Sequence, residues 1–179
     1  MSNPQVKSVG ILGGSFDPVH LGHLKISKIA IKKAKLKKIY WVITRKNPFK
    51  KKTFFSLKER LIRIRKIVKN TKNIKVLYLE DIIKSNRSID VIKFLIKKEK
   101  LKNLYFIVGS DILLQLHKWK SWKKIVKLTK LMVFSRKGYD RKIKETTVVK
   151  YLNKNNIIFI KNKPIRISST NLRKKMKIS

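Results

Sequence analysis

Short runs of apolar residues alternate along the chain with longer segments in which apolar residues recur every three or four positions. The short runs are typical of buried β-strands, and the longer periodic segments are typical of helices packed on a core. The predicted strands span Val9–Leu12, Ile39–Ile43, Ile74–Leu79, Leu104–Val108, Leu131–Phe134 and Ile157–Ile160. The predicted helices span Leu21–Lys35, Leu57–Lys69, Ile89–Lys98, Asp111–Leu116, Trp122–Leu128, Thr147–Asn153 and Thr170–Lys177.

The regular alternation of strands and helices predicts an α/β fold with a mainly parallel sheet covered by helices on both faces. Ligands of such sheets bind beyond the carboxyl ends of the strands. We therefore expect the chemistry just after the first, second, fourth and sixth strands. No repeat, linker or change of composition divides the 179 residues, so the sequence predicts one domain over residues 1–179.

The composition excludes several kinds of protein. Apolar residues make up 42% of the chain, enough for an ordinary core, and there is no Cys. Disulfide scaffolds, Cys-ligated zinc and thiol catalysis are therefore excluded. No apolar run approaches the ~20 residues that span a bilayer, and the segment before the first strand does not have the pattern of a secretion signal. We expect a cytoplasmic protein that does not associate with membranes.

The positive charge is large but spread along the whole chain. Lys and Arg total 48 against 9 acidic residues, which gives a net charge of +39, and 39 of the basic residues are Lys. The abundance of Lys, Ile and Asn together suggests compositional drift, so solvated Lys surfaces and a role in binding polyanions both stay open. We expect nucleic acid to bind only through non-specific electrostatics. In either case the field speeds the arrival of small anions.

The most specific motif follows the first strand and reads Gly13-Gly14-Ser15-Phe16-Asp17-Pro18-Val19-His20-Leu21-Gly22-His23. Glycines allow a ligand to approach the backbone, and the helix N-terminus that follows favours an anion. His20 and His23 share one face of the first helical turn, where imidazoles and free amides suit phosphate oxygens and a transferring phosphoryl group. The alternatives are an ordinary tight turn for the glycines, and a surface pair or part of a metal site for the histidines. With one other His and no Cys, zinc is disfavoured.

A second motif opens the last predicted helix and reads Ile167-Ser168-Ser169-Thr170-Asn171-Leu172-Arg173. Its hydroxyls and first-turn amides suit either helix capping or phosphate binding. Arg173 lies on the same face as Thr170 and can donate two hydrogen bonds to phosphate oxygens. A plain capped helix with an exposed Arg is the alternative.

A third motif, from Gly109 to Trp119, follows the fourth strand. Asp111 is as well suited to capping the next helix as to contacting a substrate. Trp119 stands between two Lys, where it is either a half-exposed platform for a planar ring or a core residue. Trp122 is interpreted as a packing residue.

Together these motifs resemble those of the nucleotidyltransferase superfamily that carries a His-x-Gly-His motif, and within it the bacterial nicotinate-nucleotide adenylyltransferases. The resemblance extends from the first strand to the last helix. It implies a Rossmann-like, doubly wound fold and transfer of an adenylyl group from ATP to nicotinate mononucleotide in NAD biosynthesis. It also implies Mg²⁺ bound to the phosphates rather than to a protein metal site. We expect a monomer or a small homo-oligomer.

The resemblance also assigns residues to the two substrates. The ATP-binding residues would be Gly13, Gly14, Ser15, Phe16, His20, His23, Ser169, Thr170 and Arg173. Of these, His20, His23 and Arg173 would also be catalytic. The residues that bind the acceptor would be Lys50, Ser88, Gly109, Asp111, Trp119 and Arg136, with Trp119 stacked on the pyridine ring.

Three positions depart from the pattern of that family. Phe49 replaces a His, which leaves Lys50 as the phosphate neighbour after the second strand. Arg87 replaces a Tyr and could instead meet an anionic group. Lys137 replaces a Pro directly after Arg136.

Three rival functions stay open at this point. Another member of the superfamily, such as pantetheine-phosphate adenylyltransferase, lacks the pairing of the second and third motifs. The amidated mononucleotide is a closer rival acceptor, since the pocket lining cannot be predicted from spacing. A basic nucleic-acid-binding module would leave both phosphate motifs without a use. No nucleophile–base pair indicates a covalent intermediate, which favours direct transfer.

Overall fold

The structure, a computed structural model, describes residues 8–46, 52–136, 138–139, 143, 145–152, 156–162 and 167–178. Within these ranges six strands pair in parallel in one sheet, in the order β3-β2-β1-β4-β5-β6. The strands are β1 (Ser8–Gly14), β2 (Lys38–Ile43), β3 (Ile74–Tyr78), β4 (Asn103–Gly109), β5 (Lys130–Phe134) and β6 (Ile157–Ile160). The helices are α1 (Leu21–Ala34), α2 (Leu57–Val68), α3 (Glu80–Ile83), α4 (Ser88–Glu99), α5 (Ser110–Leu113), a 3₁₀ turn (Leu116–Lys118), α6 (Trp122–Leu128), α7 (Thr147–Tyr151) and α8 (Ser169–Ile178).

Helices cover both faces of the sheet because successive strand residues point to opposite sides. Ile39 and Trp41 of β2 lie in the core that α1 and α2 cover, whereas Tyr40 and Val42 lie in the core that α4 and α6 cover. β2 is therefore apolar from Ile39 to Ile43, as expected for a strand buried on both faces. The predicted Rossmann-like, doubly wound α/β fold is confirmed.

The strand order reverses between β1 and β4, which pair with each other at the centre of the sheet. Connections leave the two strands toward opposite faces, so a crevice opens at their carboxyl ends. Leu12 is in register with Ile107, and the segments after Gly14 and Gly109 therefore start side by side.

Most predicted elements are present with ends shifted by one or two residues. A capping box opens α2, since Ser56 Oγ accepts from Glu59 N at 3.2 Å and Glu59 Oε2 accepts from Ser56 N at 2.8 Å. The predicted helix Thr147–Asn153 ends at Tyr151, and Asn153 lies outside the described residues. No helix in the described part of the chain is long and apolar enough to cross a membrane.

The prediction of one helix over Asp111–Leu116 is wrong. The chain forms the short α5, which ends at Leu113, and then the 3₁₀ turn Leu116–Lys118. Leu113 and Leu116 are both fully buried, and their spacing of three residues suits the tighter 3₁₀ geometry. The sequence pattern also does not predict α3, because four residues are too few to show a helical period.

Candidate active site

A cavity of about 1540 Å³ opens at the carboxyl ends of the central strands, above the crevice between β1 and β4. Its volume is ample for two nucleotide-sized molecules. The predicted site residues on its wall are Gly13, Gly14, Ser15, Phe16, His20, His23, Ser88, Gly109, Asp111, Trp119, Arg136, Ser169 and Thr170. Arg173 lies beside the cavity rather than on its wall. Lys50 lies outside the described residues, as do Phe49 and Lys137.

The hydrogen bonds of the two cavity histidines define where their protons lie. His20 is the N-cap of α1, and its Nδ1 accepts from Gly22 N at 3.1 Å. His23 Nδ1 accepts from His20 N at 3.3 Å. Because each Nδ1 is an acceptor, the proton of the neutral ring lies on Nε2. The ring centroids are 4.0 Å apart, and within the described residues His20 Nε2 is buried with no hydrogen-bond partner.

Both histidines are neutral at physiological pH. Burial, followed by the positive charge of Arg136, lowers the pKa of His20 to about 4. Burial, followed by the neighbouring His20, lowers the pKa of His23 to about 3. The pair therefore supplies neutral N–H donors rather than positive charge. The alternative of a surface pair is wrong, because His20 is only 7% exposed.

Phe16 and Trp41 hold His23 from the side of the core. The Phe16 backbone has φ 47°, a left-handed conformation that costs a non-glycine residue about 1–2 kcal/mol. Its buried ring stacks on Trp41 at 5.2 Å and lies 5.0 Å from the His23 ring. Trp41 Nε1 donates to Ser27 Oγ at 2.8 Å, and that hydroxyl donates to the His23 carbonyl at 2.9 Å. These contacts restrict the position of His23 in the cavity.

Two glycines of the cavity have different reasons to be glycine. A Cβ on Gly13 would meet no atom of the described residues within 4 Å, so this residue leaves space beside the backbone. The backbone there is not left-handed, so a turn does not require the glycine. A Cβ on Gly109 would lie 2.3 Å from Asp111 Oδ1, so Gly109 permits the close approach of that carboxylate.

Asp111 and Arg136 form an ion pair across the ends of β4 and β5. Arg136 Nη1 donates to Asp111 Oδ2 at 2.6 Å, and Arg136 N donates to Ser110 Oγ at 2.9 Å. Asp111 Oδ1 is buried and has no hydrogen-bond partner in the described part of the chain. The interpretation of Asp111 as a helix cap is wrong, because Gly109 occupies the cap position of α5.

Trp119 is half-buried on the cavity wall. Its ring meets Phe106 edge-on at 6.2 Å, and no described residue accepts from its buried Nε1. One side of the ring therefore packs on the core while another lines the cavity. Trp122 packs edge-on against Tyr151 at 5.1 Å and does not line this cavity, in agreement with a packing role.

The N-terminal end of α8 is attached to the loop that carries the histidine motif. Ser169 Oγ donates to the Pro18 carbonyl at 2.9 Å. Arg173 donates through Nη1 to the Asp17 carbonyl and through Nη2 to Thr170 Oγ1 at 3.1 Å. The predicted catalytic Arg173 thus binds the loop itself, at the edge of the cavity.

Arg60 on α2 is a structural centre of the site that the sequence analysis missed. Its guanidinium, in a residue only 1% exposed, donates over 2.6–3.3 Å to backbone carbonyls of five residues. These are Ser15, Thr44, Arg45, Phe55 and Ser56. Arg60 therefore connects the loops after β1 and β2 with the start of α2. The available signal was its place on the apolar face of the helix, four residues before Ile64.

Comparison with known proteins agrees with the fold and the motifs. The model of the cytidylyltransferase-like family matches residues 11–175. The chain belongs to this family.

Proteins similar in sequence to this chain are named probable nicotinate-nucleotide adenylyltransferases. A probable nicotinate-nucleotide adenylyltransferase of Pelagibacter ubique is 45% identical over 172 residues, which are 96% of this chain and 95% of that protein. One of Nitratiruptor is 38% identical over 134 residues, 73% of this chain and 75% of that protein. This level of identity places the chain with the nicotinate-nucleotide adenylyltransferases of the family. The Plasmodium falciparum nicotinic acid mononucleotide adenylyltransferase solved with NaAD shares the fold, with a TM-score of 0.74 at 21% identity over 94% of this chain and 83% of that one.

Proposed function

We propose that this protein transfers the adenylyl group of ATP to nicotinate mononucleotide, forming nicotinate adenine dinucleotide and pyrophosphate. The observation that carries this function is the pair of neutral histidines, with the buried Nε2–H of His20 facing no acceptor within the described protein. Buried donors are normally satisfied, and a phosphate oxygen at a helix N-terminus is the acceptor that suits this one. The names of the relatives support the choice of acceptor.

The reaction is a direct displacement at the α-phosphorus of ATP. A phosphate oxygen of the acceptor forms the new P–O bond, and the bond to the β-phosphate oxygen breaks, so pyrophosphate leaves with the electron pair. The Nε2–H groups of His20 and His23 donate to the oxygens of the transferring group, where charge is redistributed in the transition state. Because both rings are already neutral donors, no proton needs to move before the reaction. Alignment of the two substrates supplies the rest of the acceleration.

The remaining ATP phosphates lie between the N-terminal ends of α1 and α8. Ser169 and Thr170 contribute hydroxyls and first-turn amides on the cavity wall. Arg173 holds the Asp17 carbonyl and has further N–H groups for the terminal phosphates. The acceptor lies on the other side of the cavity, with its pyridine ring against Trp119 and with Ser88, Gly109, Asp111 and Arg136 around it. Lys50 stays a prediction.

Mg²⁺ would be bound mainly by phosphate oxygens and water. No group of three His, Asp or Glu in the described residues is arranged to hold a metal ion. Two acidic residues on the cavity wall are already engaged, Asp111 with Arg136 and Glu80 with the Thr44 hydroxyl. A cavity wall whose described carboxylates already have partners suits a cation that arrives bound to ATP and keeps much of its water. Bound there, it would offset phosphate charge during transfer.

The test is pyrophosphate release from ATP and Mg²⁺ with either nicotinate mononucleotide or the amide. We expect strong preference for nicotinate mononucleotide. His23→Ala removes one donor and should lower kcat by about 10²–10³-fold, as for comparable donors to a developing charge. The matched control is His117→Ala, since His117 does not line the cavity. Normal turnover per folded molecule of His23→Ala would contradict the mechanism, and inactivity with both acceptors would contradict the function.

A further inference from the structure

Arg87 is a cation on the cavity wall that has no carboxylate partner among the described residues. It immediately precedes α4, is exposed, and lines the cavity next to Ser88. None of the three ion pairs in the described part of the chain includes it. Asp90, three residues further on, accepts a hydrogen bond from Ser85 Oγ at 2.7 Å instead. The exposed guanidinium of Arg87 is therefore available to a ligand.

The described acidic groups of the cavity wall have other partners. Asp111 is paired with Arg136 at 2.6 Å. Glu80 accepts hydrogen bonds from the Thr44 hydroxyl and from Arg45 N. A second anion placed near Arg87 would therefore meet a wall with excess positive charge.

The N-terminal end of α4 adds to the field at the same place. No side chain of the described residues caps this 12-residue helix, so none of them covers its first N–H groups as a cap. Ser88 lines the cavity at this end, and the buried Val91 and Ile92 form an apolar wall one turn further. The positive end of the helix dipole and the positive charge of Arg87 therefore both attract an anion to this part of the cavity. A flat ring that carries an anionic substituent would place the ring on the apolar wall and the anion toward the helix end.

We propose that Arg87 is a specificity-determining residue that binds the ring carboxylate of the acceptor mononucleotide. This inference rests on the proposed function. A guanidinium forms two parallel hydrogen bonds with a carboxylate, whereas a carboxamide has one acceptor oxygen and no charge. Hydrogen bonds to a charged group at a partly exposed site correspond to discrimination of about tenfold. Arg87 therefore favours the acid over the amide.

Arg87→Gln removes the charge and keeps a side chain of similar chemistry at this exposed position. We expect kcat/KM for nicotinate mononucleotide to fall about tenfold, mainly through KM, because a binding interaction is lost. The value for nicotinamide mononucleotide and the KM for ATP should stay within about twofold. The measured quantity is the ratio of the two acceptor kcat/KM values in wild type and variant.

Three further variants separate a specific contact from a change of overall charge. Arg87→Lys keeps the charge and should restore part of the ratio. Lys84→Gln removes one exposed charge three residues away, outside this cavity, and should leave the ratio unchanged. Lys120→Gln removes a charge beside Trp119 and should change the ratio less than Arg87→Gln.

The outcomes distinguish this inference from the function on which it rests. A wild type inactive with both acceptors overturns the proposed function. If the wild type is active with nicotinate mononucleotide and Arg87→Gln leaves the ratio of the two acceptor kcat/KM values unchanged, only the role of Arg87 is overturned. An equal loss for both acceptors overturns it too, since Arg87 would then contact something that both acceptors share. An equal effect of Lys120→Gln and Arg87→Gln would show a general field rather than a contact.

Discussion

At the scale of single residues, backbone N–H groups determine which ring nitrogen of each cavity histidine carries the proton. The spacing of His20 and His23 on a helix is visible in the sequence, and it predicts a shared face. The protonation pattern is not visible, because it depends on the β-conformation of His20 at the cap and on burial by the sheet. The structure adds that each Nδ1 accepts a backbone N–H, so the proton of each neutral ring lies on Nε2.

The low pKa values of these histidines predict acid-sensitive folding. The unfolded chain binds protons at histidines near pH 6.5, whereas the folded values are about 4 for His20 and about 3 for His23. Their contribution to the free energy of unfolding is complete above pH 6.5 and is lost as the pH falls toward the folded values. Urea unfolding at several pH values measures this slope.

His20→Asn removes the contribution of His20 to the pH dependence of the free energy of unfolding. The helix cap is kept, since the Asn oxygen can still accept from Gly22 N. We expect the free energy of unfolding of this variant to depend less on pH between 4 and 6.5 than that of the wild type. An identical slope in both proteins would mean that His20 is not buried in its neutral form.

Gly13→Ala tests whether bound ATP occupies the space beside Gly13. The added methyl meets no atom within 4 Å in the described part of the protein, so we expect unchanged or slightly higher stability. A methyl in space that a ligand fills costs about 1–3 kcal/mol, or at least about fivefold in affinity. Calorimetric titration with ATP and a thermal melt measure the two effects. Unchanged affinity would show that ATP does not approach this backbone.

Gly109→Ala should act through Asp111 instead. The new Cβ would lie 2.3 Å from Asp111 Oδ1, so the carboxylate must move and its ion pair with Arg136 is disturbed. We expect the KM for the acceptor mononucleotide to rise while ATP binding is retained, as steady-state kinetics with each substrate varied would show. An acceptor KM equal to that of the wild type would contradict a role of Asp111 in that subsite.

At the scale of elements, α2 is held to the site by one buried arginine. Arg60→Met keeps much of the apolar stem but leaves the five backbone carbonyls without their donor. We expect a loss of about 2–4 kcal/mol in the free energy of unfolding, measured in urea. Arg65→Met, at an exposed position of the same helix, is the control and should change it by less than about 0.5 kcal/mol. Equal effects of the two substitutions would contradict this account.

The elements themselves could largely be predicted, because apolar runs and helical periods follow directly from burial on both faces of a parallel sheet. The split between α5 and the 3₁₀ turn could not, since it depends on Leu113 and Leu116 packing into one core. The pair of Asp111 and Arg136 also escapes prediction from the pattern, because 25 residues separate them and only the pairing of β4 with β5 brings them together.

At the scale of the whole molecule, a net charge of +39 surrounds a cavity for two anionic substrates. Such a field accelerates association and is screened by salt. We expect kcat/KM for ATP to fall as ionic strength rises from about 20 to about 300 mM, with kcat nearly constant. Stopped-flow binding of ATP over that range would show the fall in the association rate. An association rate that does not depend on salt would contradict electrostatic acceleration of ATP binding.

The same charge should bind RNA only weakly and without sequence preference. Binding through phosphate contacts alone weakens steeply with salt, so we expect it to be lost by about 200 mM. Tight, sequence-selective binding at that salt concentration, measured by fluorescence anisotropy, would instead support the nucleic-acid function.

The fold class and the family, both predicted from the sequence, are confirmed at this scale. They could be predicted because strands alternate with helices along the chain, which is typical of an α/β fold, and because the motifs follow predicted strands, where such a sheet binds its ligands. The single domain, the cytoplasmic location and the oligomeric state stay predictions. So do the substrate contacts of the site residues, which depend on side-chain positions when both nucleotides are bound.

The most direct test of adenylyl transfer is a product analysis by mass spectrometry after one enzyme preparation is mixed with ATP, Mg²⁺ and nicotinate mononucleotide that carries ¹⁸O in its phosphate. Direct displacement predicts nicotinate adenine dinucleotide and pyrophosphate in equal amounts. One ¹⁸O would lie in the bridge of the dinucleotide, and none would be in the pyrophosphate. Release of ADP or AMP without the dinucleotide, or label in the pyrophosphate, would contradict the account.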